Sequence, residues 1–126
     1  MSKPKAGRAG IALLHYTCPP VVGGVEEILD QQARVLLDHG HKVKVLAGRG
    51  RTTEGAYPVE INPLLDSRHP DILRVQSRIA DRRSEFRSLV RAILDYLQRA
   101  LEGSTILIVH NVLTMAYNLP LTRALH

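Results

Sequence analysis

A chain of 126 residues makes one domain at most, and 17 Lys+Arg against 12 Asp+Glu give it a formal charge of +5 at neutral pH. A hydrophobic share of 44% with 23% charged residues is that of a globular domain and excludes disorder as a description of the whole. The longest apolar runs, such as Ile106 to Val109, fall far short of the ~20 residues of a membrane-spanning helix, no secretory leader is evident, and one cysteine, Cys18, makes neither an internal disulfide nor a multi-cysteine metal site, which points to a reducing cytoplasm.

Residues 1–9 carry Lys3, Lys5 and Arg8 without an acid or an apolar pattern and read as a flexible basic arm. Residues 10–126 are expected to form the folded domain. Gly10 to Leu14 is a short apolar run of the kind a buried parallel strand presents on both faces. It is expected to end at His15-Tyr16-Thr17, where Pro19, Pro20, Gly23 and Gly24 spell a long loop. From about Val25 the residues Val25, Ile28, Leu29, Ala33, Leu36 and Leu37 recur at helical spacing. Gly40 supplies the left-handed residue beyond the last turn, and His41 to Ala47 alternates as a second strand. Strand, helix and strand make one βαβ unit, so the expected class is α/β: a Rossmann-like parallel sheet flanked by helices.

Val59-Glu60-Ile61 is the one candidate strand between Gly48 and Pro63. From Pro70 to Leu101 a helical stripe runs through Ile72, Val75, Ile79, Phe86, Leu89, Ile93 and Leu97. Arg82 and Arg83 interrupt it, which predicts a kink or two helices meeting near Asp81 to Ser84. Gly103 stops that segment, Thr105 to Val109 reads as another all-apolar strand, and Thr114 to Leu125 as a helix that Pro120 should kink.

In an open parallel sheet the ligand crevice lies at the carboxyl ends of the strands. Two strand ends here are polar: His15-Tyr16-Thr17, with Gly23-Gly24-Val25-Glu26 behind it, and His110-Asn111. A glycine pair before a helix lets a phosphate or sugar approach the backbone, where the first N–H groups of the helix point at it. The plainer reading is that the two glycines only turn the chain. Neither G-x-G-x-x-G nor G-x-x-x-x-G-K-[ST] is present, which removes most support for dinucleotide oxidoreduction and ATP hydrolysis.

Gly23-Gly24-Val25-Glu26, a helix, and then Leu36-Leu37-Asp38-His39-Gly40-His41-Lys42-Val43-Lys44-Val45 resemble the N-terminal domain of family 4 glycosyltransferases, in the order G-G-x-E, amphipathic helix, G-H-x-V-x-V. Ile106 to Asn111 is similar to the strand that these enzymes end on a His-Asn or His-x pair. The resemblance covers about Ile11 to Leu125. It implies one half of a GT-B glycosyltransferase: two Rossmann-like domains facing a cleft, an acceptor-side domain first and a nucleotide-sugar domain after it. The implied reaction transfers a sugar from a nucleotide-sugar donor to a hydroxyl acceptor with retention of configuration and without a metal ion or other cofactor. On the same resemblance Gly23 and Gly24 lie by the donor diphosphate, His110 by the transferred sugar as the catalytic-site histidine, and His15, Glu26 and Asn111 among the substrate-binding residues. The paired glutamates and basic pair of the family's second domain have no counterpart here, so the chain reads as a truncated N-terminal half, inactive alone.

Each of these residues also has a structural reading. His15 could be a hydrogen-bonded residue closing a buried strand, Glu26 a charge complementing the helix dipole, and Cys18 a small loop residue rather than a reactive thiol. Eight arginines from Arg68 to Arg99 face six acids between Asp66 and Glu102, a pattern of a solvated, partly paired helix face. Its second reading is peripheral contact with an anionic membrane surface. Nucleic acid is not an expected partner, because aromatic residues are few and no helix-turn-helix or aromatic-basic strand accompanies the basic excess. The rival to the enzyme is a stand-alone nucleotide- or phosphate-binding module, for which the glycine loop and the sheet suffice.

Overall fold

The computed structural model describes residues 10–51 and 55–126, and the expected basic arm of residues 1–9 lies outside them. Four strands, β1 (Gly10–Thr17), β2 (Lys42–Arg49), β3 (Val59–Ile61) and β4 (Ile106–Val109), form one sheet in the order β3-β2-β1-β4. Every neighbouring pair is parallel. Helices α1 (Gly24–Asp38), α2 (Pro70–Gln76), α3 (Arg83–Ala100) and α4 (Leu119–Leu125) flank it, so the α/β, Rossmann-like class is the observed one.

Alternation along β1 divides the core. Ile11 and Leu13 pack with Leu29 and Ala33 of α1 and with Val43 and Val45 of β2. Leu14 and Tyr16 turn to the other face, onto Ile72, Ile93, Leu97 and Leu121 of the remaining three helices. Most of these side chains are fully buried, and each buried Leu, Ile or Val contributes about 1.5–3 kcal/mol of burial energy. The sheet is thus covered by one helix on one face and three on the other. α1 closes with Gly40 at φ 85°; Gly40 N donates to Leu37 O and His41 N to Leu36 O, the paired bonds of a Schellman end that only a left-handed residue allows cheaply.

The order of strands positions the site. From β1 the chain steps outward through β2 to β3, then returns to lay β4 on the other side of β1. The crossovers leave on opposite faces, so the topological switch point, where open α/β sheets bind ligands, falls between the carboxyl ends of β1 and β4.

Five sequence expectations are corrected by the fold. The first strand does not end at Leu14 but runs on through His15, Tyr16 and Thr17, paired with β2 as far as Thr17↔Arg49. In the Pro70 to Leu101 segment the two-helix alternative is the observed one, but the break begins earlier than Asp81: α2 stops at Gln76, a 3₁₀ turn covers Ile79–Asp81, and α3 starts at Arg83. The last helix begins at Leu119 rather than Thr114, because buried Asn118 caps it and Pro120 falls in its first turn, where a missing N–H costs nothing. β4 is an edge strand of the described sheet with Ile106 46% exposed, not a strand covered on both faces. The same open side leaves Ile28 of α1, expected in the core, 57% exposed.

Candidate functional site

β1 and β4 end at different heights. Their pairing stops at Leu14↔Val109, whereas β1 and β2 continue to Thr17↔Arg49, so the last residues of β1 stand beside a step where β4 has finished. His110 N donates to Leu14 O at 2.9 Å, which seats His110 on the step next to His15. Both side chains are on the α1 face: His110 Nε2 lies 2.8 Å from Gln32 Oε1 of α1, and His15 Nδ1 2.8 Å from Thr17 O. With Gln32 Oε1 as acceptor the His110 proton sits on Nε2, and Nδ1 keeps its lone pair. Burial pushes the His110 pKa below its usual value, and the charge of neighbouring His15 pushes it the same way. His110 is therefore a neutral imidazole at physiological pH.

The N-terminus of α1 meets the same end of the sheet. Gly23 and Gly24 are both exposed, and Gly23 caps the helix without any side-chain hydrogen bond. The two glycines are not equivalent. A Cβ at Gly23 would run into the Glu26 carboxylate, whereas a Cβ at Gly24 would meet nothing within 4 Å. Open space therefore adjoins Gly24, and Glu26 covers Gly23.

Glu26 is buried, and its Oε1 accepts a hydrogen bond from the Thr17 hydroxyl. It is neither a solvent-facing helix charge nor free to act as a base; it ties the end of β1 to the first turn of α1. His15, buried and bonded to Thr17 O, belongs to the same join. Asn111 has φ 59°, a left-handed conformation that asparagine tolerates better than most residues. Its carbonyl accepts from Thr114 N and Met115 N, so it turns the chain away from His110. Cys18 is buried, and burial pushes its thiol pKa up, which suits a packed loop residue rather than a thiolate.

The six residues picked from sequence thus gather at one end of the sheet, in two groups. His15, His110 and Asn111 line the step, while Gly23, Gly24 and Glu26 form the head of α1. Gln32 is eight residues beyond Gly24, about 12 Å along the helix at 1.5 Å per residue, a separation that a sugar diphosphate can span. Sequence reasoning missed Gln32, which orients His110, and named Thr17 only as part of a polar strand end, without its bond to Glu26. Neither stands out locally, since a glutamine in a helix and a threonine in a strand are ordinary there. Asn118 was also missed: its Nδ2 donates to Leu64 O and Asp66 O, and its Oδ1 accepts from Leu121 N. A signal existed in Asn followed two residues later by Pro, the signature of a helix start.

A cleft of about 450 Å³ lies on the other side of the α1 head, between the Pro19–Gly23 loop and Tyr57. The Tyr57 hydroxyl donates to Asp30, and this bond, more than the Arg34 guanidinium, holds the Asp30 carboxyl below its usual range. Gly23, Glu26, Glu27, Asp30 and Arg34 line it, three carboxylates against one guanidinium, which makes it a poor place for an anion. Among the described residues no three His, Cys, Asp or Glu side chains are grouped to hold a metal ion, and no helix is long and apolar enough to cross a membrane. Comparison with models of known protein families, with curated proteins and with solved structures returned no match.

Proposed function

We propose that this chain is the Rossmann-like, acceptor-side half of a retaining glycosyltransferase that takes a sugar from a nucleotide-sugar and passes it to a hydroxyl acceptor. The observation that carries the reading is that a neutral His110 at the β1–β4 step and the open glycine end of α1 share one end of the sheet, about 12 Å apart along α1. Backbone N–H groups of the first helical turn, beside Gly24, face the charge that grows on the leaving diphosphate. The free lone pair of His110 Nδ1 accepts a hydrogen bond from a sugar hydroxyl, and Gln32 fixes the ring that offers it. The sequence pattern G-G-x-E, helix, G-H-x-V-x-V supports the same assignment. On this reading the diphosphate and the sugar rest on this chain, a second domain holds the nucleoside and supplies the rest of the transfer machinery, the reaction is cytoplasmic and needs no metal ion, and the 126-residue chain does not transfer sugar alone.

Calorimetric titration with uridine, guanosine and adenosine diphosphate sugars tests the reading. Saturable binding of one of them, displaced by inorganic diphosphate, is expected. Binding of inorganic diphosphate with no added affinity for any sugar nucleotide would favour a phosphate-binding module without catalysis, and no binding at all would overturn both.

A further inference from the structure

Of the eight arginines from Arg68 to Arg99, three are in ion pairs and five, Arg68, Arg83, Arg87, Arg91 and Arg99, are in none among the described residues. Arg74 pairs with Asp71 and Glu85, Arg78 with Asp81, and Arg82 with Glu85. These bridges neutralise the junction of α2 and α3. Arg83, Arg87 and Arg91 are exposed on α3 and have no carboxylate partner among the described residues. Their spacing of four residues puts like charges one turn apart, which weakens a helix, and Arg83 in the first turn opposes the helix dipole. At 100° per residue the three fall within a sector of about 80°, and Leu94 falls inside the same sector. Leu94 is 38% exposed, so the stripe is three cations with an apolar side chain among them. Asp95 flanks it about 40° further round.

We infer that this face of α3, Arg83, Arg87, Arg91 and Leu94, docks the protein flat on an anionic lipid bilayer. A straight row of guanidinium groups with one leucine matches a planar surface of phosphates over hydrocarbon, where arginines hold headgroups and the leucine enters the boundary. Single-stranded nucleic acid is the poorer match, because the aromatic residues of this helix, Phe86 and Tyr96, are half-buried rather than displayed for stacking. The inference is independent of the glycosyltransferase reading, since the site at the β1–β4 step supplies none of these residues.

Co-sedimentation of the 126-residue chain with vesicles of phosphatidylglycerol and phosphatidylcholine, against pure phosphatidylcholine, decides it. The wild type is expected to partition onto the anionic vesicles only, less so as salt is raised. The variant R83Q/R87Q/R91Q is expected to lose about a hundredfold in partitioning, at roughly fivefold per arginine. A control of equal charge change, K42Q/R51Q/R123Q, removes three cations from elsewhere and is expected to lose under tenfold. Circular dichroism checks that both variants fold. Three results would each overturn the inference: no wild-type binding to anionic vesicles, equal losses in the two variants, or tighter binding to duplex DNA with the same loss in R83Q/R87Q/R91Q.

Discussion

His110 Nε2 stands 2.8 Å from Gln32 Oε1, and this one contact ties the end of the edge strand to the middle of α1. It decides which ring nitrogen of His110 carries the proton and therefore which one is offered to the crevice. Neighbouring His15 adds to the effect of burial in keeping the ring neutral. Replacing His15 by Gln should raise the His110 pKa toward its usual value near 6.5, read by NMR titration of the ring protons. An unmoved titration would mean that the two imidazoles do not sense each other.

Stability should carry the same signature. A histidine whose folded pKa is lowered stays unprotonated in the fold while the unfolded chain takes up a proton, so its contribution is fully present above ~6.5 and is lost as pH falls through and below that value. Urea unfolding of wild type and His110→Gln at pH 8 and pH 5.5 checks the sign. The variant is expected to lose less stability on acidification than the wild type, and an equal or larger loss contradicts the assignment.

Thr17 and Glu26 form a buried join, and breaking it from the threonine side leaves a carboxylate without its donor. Thr17→Val should cost about 1–3 kcal/mol, measured by denaturant titration. Glu26→Gln keeps a partner for the hydroxyl and should cost less. A neutral Thr17→Val would show that the carboxylate finds another donor.

The two glycines before α1 should part company. Gly24→Val adds a side chain into open space and is expected to leave the melting temperature within a few degrees of wild type while abolishing binding of a sugar nucleotide. Gly23→Ala pushes against the buried Glu26 carboxylate and is expected to lower stability by about 1–3 kcal/mol. Thermal unfolding and calorimetry on the pair separate a structural glycine from a ligand-facing one. Undiminished binding in Gly24→Val would place the anion elsewhere.

Much of this fold is written locally in the chain. β1, α1 and β2 follow from apolar residues on both faces of a strand, from three- and four-residue spacing, and from Gly40 at the Schellman end, all of which act within one or two turns of their own position. What was not legible depended on distant partners. His15, Tyr16 and Thr17 look like the start of a loop, yet they continue β1, because β2 pairs with it to Arg49 and Thr17 and Tyr16 find partners in Glu26 and in Met115 O and Tyr117 N. The helical pattern of α1 says that Ile28 is apolar in phase, but not that β4 is an edge of the described sheet and leaves that side open. The candidate residues were found because strand ends and glycine pairs are visible in sequence; Gln32, which orients His110, was not, because its meaning lies 78 residues away.

The most direct test of the site is a residue-resolved NMR titration of the isotope-labelled chain with the sugar nucleotide that binds tightest. The amides of Gly24 and Val25 and the ring of His110 are expected to shift together along one saturation curve, with the Gln32 side-chain amide following His110. Shifts confined to Tyr57, Asp30 and the Pro19–Val22 loop, with His110 unmoved, would contradict this and move the ligand to the acidic cleft on the other side of α1.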